Sequence, residues 1–242
     1  MRRTAVCQSK RKSLRNETDH FVRFRGEGPR SVGASAIWYN TQVETNRQKY
    51  ELVEIFESLQ GEGRNSGRPA VFVRFAGCNL RCPWCDTDVA PRFTSSLSEL
   101  TDEISRFRAK SVILTGGEPT MVEAMPELVA ALKERGFWIA VETNGSRDAD
   151  WLAFVDYVSC SPKAEFPDSL ALSRADEVRV VASSEDVVRF CRDVRTKISA
   201  TDYYISPCDR DGNIDFATAK AVLSRLDGWS LSVQLHKLLG FR

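Results

Sequence analysis

The chain has 242 residues, 42% of them hydrophobic and 28% charged, with a formal net charge of +1, a composition that suits one large globular domain or at most two small ones. It has no run of 18 apolar residues, and Met1-Arg2-Arg3 leads into no apolar segment. A membrane span and a secretory signal are therefore excluded, and a cytoplasmic protein without membrane or nucleic-acid partners is expected. The seven cysteines are an odd number, three of them clustered and Cys7, Cys160, Cys191 and Cys208 scattered, which is not a disulfide framework.

Residues 1–30 hold nine Lys or Arg against three Asp or Glu, so the front carries about +6 and the remainder about −5. With no hydrophobic period, residues 1–49 read as a disordered or non-native extension. An RNA-contacting arm or a transit segment is the functional alternative. From Tyr50 the texture changes. A strand is expected at 50–56, then a Gly-rich turn through Glu57-Ser58-Leu59-Gln60-Gly61-Glu62-Gly63, then an apolar strand at 71–76. Ser96-Leu97-Ser98-Glu99 is a capping box, and Leu97, Leu100, Ile104 and Phe107 recur at helical spacing behind it.

The alternation continues with a short strand at 111–114, a helix carrying Leu128, Val129 and Leu132 that stops at Gly136, and a strand at 137–142. An apolar run at 154–160 follows, then a strand at 178–181, a helix at 184–195, a strand at 202–206, a helix at 214–227 and a last strand at 230–235. Strand followed by helix, repeated, predicts an α/β fold with a parallel sheet, curled into part of a barrel, as one domain over 50–242. Functional residues should then gather at the C-terminal ends of the strands. Cys78, Thr115 to Pro119, Glu142 to Gly145 and Ser161 to Lys163 each lie just past a predicted strand. Four such motifs in succession are hard to explain as loops chosen for turning alone.

The densest of these is Cys78-Asn79-Leu80-Arg81-Cys82-Pro83-Trp84-Cys85. Three thiols in eight residues after a strand can face one soft metal centre. A closed tetrahedral zinc site needs a fourth ligand, for which His20 or His236 would be candidates, whereas an iron–sulfur cubane held by three cysteines keeps one iron open for chemistry.

Cys78, Cys82 and Cys85, together with Gly116-Gly117-Glu118-Pro119, resemble the cluster motif and cofactor segment of the radical S-adenosylmethionine enzymes. That resemblance implies a partial (β/α)6 TIM-like barrel, a 4Fe-4S cluster on the three cysteines, and S-adenosylmethionine chelated to the open iron and cleaved to a 5′-deoxyadenosyl radical. A narrower resemblance, over 50–242, rests on Phe56 to Gly63, Arg74, Cys82-Pro83-Trp84-Cys85-Asp86-Thr87, Ser161-Pro162-Lys163 and Leu231 to Lys237, which are similar to the 7-carboxy-7-deazaguanine synthase family. It implies conversion of 6-carboxy-5,6,7,8-tetrahydropterin to 7-carboxy-7-deazaguanine with loss of ammonia, on the route to queuosine and other 7-deazapurines. It also implies dependence on Mg2+, a flavodoxin or ferredoxin as electron donor, and a homodimer.

By the same resemblance Leu59, Gln60, Gly61, Glu62 and Thr115 would meet the pterin, and Arg74 its carboxylate as a bidentate partner. Thr87 would be the Mg2+ ligand, a hard oxygen for a cation that keeps most of its waters, with Asp86 in support or capping a turn. Gly117, Glu118, Ser161, Pro162 and Lys163 would hold the cofactor, and Glu142 its ribose. For Gln60 and Glu62 an ordinary polar turn is the alternative, and for Arg74 a structural ion pair. His236 is open between a catalytic or substrate role and a hydrogen-bonded structural histidine. Cys160, Cys191 and Cys208 read as buried apolar residues. Activases of glycyl-radical proteins, and a cluster kept only for electron transfer, are the rival readings.

Overall fold

The computed structural model describes residues 49–240. The basic leader, Cys7, His20 and the chain's C-terminal carboxylate lie outside them.

Strands β1 (Lys49–Leu59) and β2 (Pro69–Phe75) form an antiparallel pair, and β3 (Phe93–Ser96) pairs with the other edge of β1. The capping box then opens α1 (Leu97–Arg106): the Ser96 amide donates to Glu99 Oε2 at 2.9 Å and the Glu99 amide donates back to Ser96 Oγ at 3.4 Å. Leu100 and Ile104 on its inner face are fully buried. Next come β4 (Ser111–Gly116), α2 (Met125–Glu134), β5 (Trp138–Thr143), β6 (Tyr157–Cys160), β7 (Glu177–Ala182), α3 (Val187–Lys197) and β8 (Asp202–Arg210). The chain closes with β9 (Asn213–Asp215), α4 (Phe216–Leu223), β10 (Ser230–Leu231) and α5 (Leu235–Leu239).

The strands make one sheet in the order β10-β8-β7-β6-β5-β4-β2-β1-β3, with β9 on β8. From β2 through β8 every neighbouring pair along this path is parallel. Because β3 and β10 leave the ends open, the result is the partial TIM-like barrel expected for this kind of α/β chain. Parallel strands covered on both faces read as unbroken apolar runs. Val112-Ile113-Leu114 is such a run, and all three residues are essentially fully buried. The main core lies between the sheet and its helices, joining Leu52, Val73 and Phe75 to Leu128, Leu132, Ile139 and Val180.

Three local expectations change. The strand expected at 230–235 is only two residues long: Ser232 N still bonds to Ile205 O, but Leu235 N then bonds to Gly61 O at 3.0 Å, and α5 begins there. The helix expected at 214–227 starts at Phe216, because Asn213–Asp215 forms a hairpin strand and the Asp215 carboxylate caps the Thr218 amide at 2.9 Å. Strand β3 was not foreseen, since Phe93-Thr94-Ser95-Ser96 has no apolar alternation and its pairing is decided by β1.

Candidate active site

A cavity of about 520 Å³ opens at the C-terminal ends of the parallel strands. It is lined by Arg74 from β2, Thr115 from β4, Glu142 from β5, Arg179 from β7 and Ser206 from β8, together with the cysteine loop and His236 of α5.

Cys78, Cys82 and Cys85 all border this cavity, the first two half-buried and the third exposed. Their loop is pinned at its root, where Gly77 N donates to Val89 O at 2.9 Å and Glu118 N donates to Gly77 O at 2.9 Å. Burial pushes the Cys82 thiol above its ordinary value; the Lys163 ammonium opposes this, and Cys85, Glu165 and Cys78 add to it. Among the described residues no three His, Cys, Asp or Glu side chains converge on one point as ligands of a single ion. Three thiols on one loop at the cavity are the donor set a 4Fe-4S cluster takes, one iron per thiolate.

The cofactor set sits beside the loop. Gly117 lies so close to the cluster loop that a β-carbon there would clash with the Gly77 carbonyl and the Cys78 amide. Lys163 donates to Ser161 Oγ at 2.8 Å, and its ammonium stands 5.3 Å from the centre of the Trp84 ring. The Trp84 indole in turn donates to Glu165 Oε1 at 2.7 Å. Ser161 and Lys163 thus reach the cavity, while Pro162 is buried behind them. Glu118 is also turned inward: fully buried, it accepts from the Thr120 amide and hydroxyl, the Thr143 hydroxyl and the Asn144 amide. Its carboxylate ties the Gly-Gly turn to the end of β5. Cys160, Cys191 and Cys208 are buried, with the Cys160 and Cys191 thiols each pushed up to about 12 by burial.

The opposite end is built on the turn after β1. Leu59, Gln60, Gly61 and Glu62 line the cavity. Gln60 Nε2 donates to Glu142 Oε1 at 2.8 Å and its own Oε1 accepts from the Glu62 amide at 3.0 Å, so this side chain is locked in place. Thr115 Oγ1 donates to Glu142 Oε2 at 3.2 Å. Glu142 is thus bonded to two of the residues expected to hold the substrate, while Thr143, next on β5, accepts from the Ser161 amide at 2.7 Å. Gly61 packs against the His236 ring, which brings that histidine to the same end. Arg74 borders the cavity while its Nε donates to Glu54 Oε1 at 2.9 Å, so the ion pair and the cavity position hold at once.

Thr87 also lines the cavity, its hydroxyl donating to Asp86 Oδ1 at 3.3 Å. Asp86 is taken by Lys237 of α5, whose ammonium bridges Asp86 Oδ2 at 2.5 Å and Asp209 Oδ2 at 2.6 Å. Burial acts against the Asp86 carboxylate, but the bonded Lys237 ammonium outweighs it and holds the carboxyl below its ordinary value.

Two residues escaped the reading of the sequence. Arg179, in the apolar run Val178-Arg179-Val180-Val181, faces the cavity from β7 and meets Glu62 and Glu142. The signal that drew attention to Arg74, a charge inside an apolar strand, was present there too. Ser206 is 4% exposed, its hydroxyl has no hydrogen-bond partner, and it lines the cavity. An orphaned buried hydroxyl at a cavity wall is what a ligand group would satisfy.

Residues 72–205 match the family described as the Radical SAM superfamily. The 7-carboxy-7-deazaguanine synthase of Neisseria meningitidis serogroup B is 43% identical over 208 residues, which is 82% of this chain and 97% of that protein. The protein of the same name from Haemophilus influenzae is 41% identical over 200 residues, 79% of this chain and 93% of its own. The crystal structure of QueE from Escherichia coli superposes with a TM-score of 0.64 at 23% identity, covering 80% of this chain and 98% of that one, a likeness of fold. Both named relatives are covered over more than nine-tenths of their own length, and the chain is a radical SAM enzyme belonging to the 7-carboxy-7-deazaguanine synthase family.

Proposed function

We propose that this chain converts 6-carboxy-5,6,7,8-tetrahydropterin to 7-carboxy-7-deazaguanine with loss of ammonia, in a Mg2+-dependent reaction that feeds queuosine and related 7-deazapurines. The observation that carries the reading is that one cavity gathers three thiols and a glycine turn at one end and a locked Gln60-Glu142-Thr115 set with Arg74 at the other. A single pocket thus has one end for a metal-bound cofactor and one for a flat, donor-rich ring. When bound, the 4Fe-4S cluster and S-adenosylmethionine supply the hydrogen-abstracting radical that starts the ring contraction.

The chain's own residues do the rest. Cys78, Cys82 and Cys85 would hold the cluster, and Gly117, Ser161 and Lys163 the cofactor, with Glu118 and Pro162 shaping those segments from behind. Leu59, Gln60, Gly61, Glu62, Thr115 and Glu142 fix the ring, Arg74 pairs with its carboxylate, and His236 closes the same end. Thr87 offers a hard oxygen for Mg2+ beside the cysteines. The protein works as a cytoplasmic homodimer reduced by a flavodoxin or ferredoxin.

Anaerobic incubation of the reconstituted protein with carboxytetrahydropterin, S-adenosylmethionine and Mg2+, followed by mass analysis, is expected to show 7-carboxy-7-deazaguanine and about four irons per chain. Zinc in place of iron, or cofactor cleavage with no change in the pterin, would reject the reading. For the Mg2+ assignment, Thr87→Ala is expected to raise the Mg2+ concentration needed for half-maximal turnover about tenfold, as loss of one ligand does, with iron content unchanged. Iron lost together with turnover would move Thr87 into the cluster loop's architecture instead.

A further inference from the structure

Arg179 has a side chain only 5% exposed, and its guanidinium spreads over three carboxylates from three elements. Nη1 bonds to Glu62 in the turn after β1, Nη2 donates to Glu142 Oε1 on β5 at 2.9 Å, and Nε stands 3.2 Å from Glu177 Oε1 on its own strand. Glu177 is satisfied away from the cavity, by the Tyr157 hydroxyl at 2.9 Å, the Ser159 hydroxyl at 2.8 Å and the Arg64 amide at 2.9 Å. Glu62 and Glu142 instead border the cavity. One guanidinium among three carboxylates leaves a surplus of negative charge, part of it facing the cavity on Glu62 and Glu142, and such a surplus is best tolerated where partners meet it. The floor is thus complementary to an edge of N–H donors.

We propose that Arg179 is the positioning residue of the substrate end: it holds Glu62 and Glu142 aimed into the cavity as paired acceptors for the guanidine-like edge of a 2-aminopyrimidinone ring. The inference rests on the pterin reading given above. The side chain acts through the two glutamates and needs no contact with the ring. Its planar fork is suited to this, since separate nitrogens reach separate carboxylates in fixed directions.

The test uses the full chain and oxidised 6-carboxypterin, an unreactive fluorescent ligand, over about pH 5.5–7.5 where an unperturbed carboxylate is ionised. The charged or titratable groups around Arg179 are Glu62 on the turn, Glu142 on β5, Tyr157 and Cys160 on β6, Glu177 beside it, and Asp202 and Tyr204 on β8. Arg64 and His236 complete the set. Wild-type affinity is expected to stay flat with pH. Arg179→Gln is expected to weaken binding about 100-fold at neutral pH, the cost of stranding buried charges. Its affinity should rise with pH, because Glu142, buried and without its cation, ionises later. Arg179→Lys should keep a flat profile and recover to within about tenfold of wild type.

A wild-type Kd and flat profile in Arg179→Gln, or a pH-dependent profile in Arg179→Lys, overturns the proposal, and the second result decides even if the Gln variant does not fold. Wild-type protein that neither binds 6-carboxypterin nor turns over the tetrahydropterin overturns the pterin reading itself.

Discussion

Arg74 answers two demands with one side chain. Its Nε donates to Glu54 inside the β1–β2 pair while the residue borders the cavity, where the proposed reading has it meet the pterin carboxylate. Arg74→Ala is expected to raise the KM for the pterin by roughly 10- to 100-fold, the 1–3 kcal/mol of a charged hydrogen-bonded contact, and steady-state kinetics checks it; an unchanged KM would place the carboxylate elsewhere. Glu142 carries a pH prediction. Burial opposes its ionisation, but Arg179, Gln60 and Thr115 together hold the carboxyl below its ordinary 4.5. A carboxyl lowered on folding stabilises the native state above its unfolded pKa, and the benefit disappears as pH falls through the folded value. Wild-type stability should therefore drop below about pH 4.5 more steeply than that of Glu142→Gln, measured by denaturant melts between about pH 3 and 6. Parallel curves would show that the Arg179 contacts do not stabilise the anion.

At the scale of elements, the cysteine loop and the Gly-Gly turn act as a pair. Backbone bonds from Gly117 N to Phe75 O and from Glu118 N to Gly77 O clamp the end of β4 onto the end of β2, and Glu118 locks the turn to β5. Gly117→Ala would push a methyl group into the Gly77 carbonyl, so it is expected to lose most of the reconstituted iron and cofactor binding, scored by iron and sulfide analysis alongside thermal melting. Full iron content would show that the loop can retreat. Helix α5 is held over the other end by Leu235 N on Gly61 O and by Lys237 bridging the loop residue Asp86 and β8 residue Asp209. The strand predicted there failed because a short exposed edge offers few ladder bonds, whereas the helix gains these tertiary anchors. The strands β4 to β7 were legible because buried parallel strands carry an apolar run that depends little on context.

For the whole molecule, the cavity is lined from β1 to α5, so ligands in it bridge most of the sheet. Saturating S-adenosylmethionine with 6-carboxypterin at about 100 times its Kd is expected to add about 2.7 kcal/mol to stability. That corresponds to a rise in Tm of roughly 5–10 °C for a domain near 200 residues, read by anaerobic thermal scanning. No rise would mean that the two ends of the cavity do not bind together.

The strand and helix alternation from β4 to α3, the capping box, the three-cysteine loop and the glycine turn were determined by the sequence itself, because each rests on residues within a few positions of one another. Which distant side chains meet was decided only by the fold. Arg179 and Glu62 are 117 residues apart and Gln60 and Glu142 are 82, and Glu142 met Gln60, Thr115 and Arg179 once β5 was seated between β4 and β6. Glu118 turned away from the cavity for the same reason. Local spacing fixes what a segment can form, but a partner chosen across the sheet depends on strand order and register, which only the packed structure supplies.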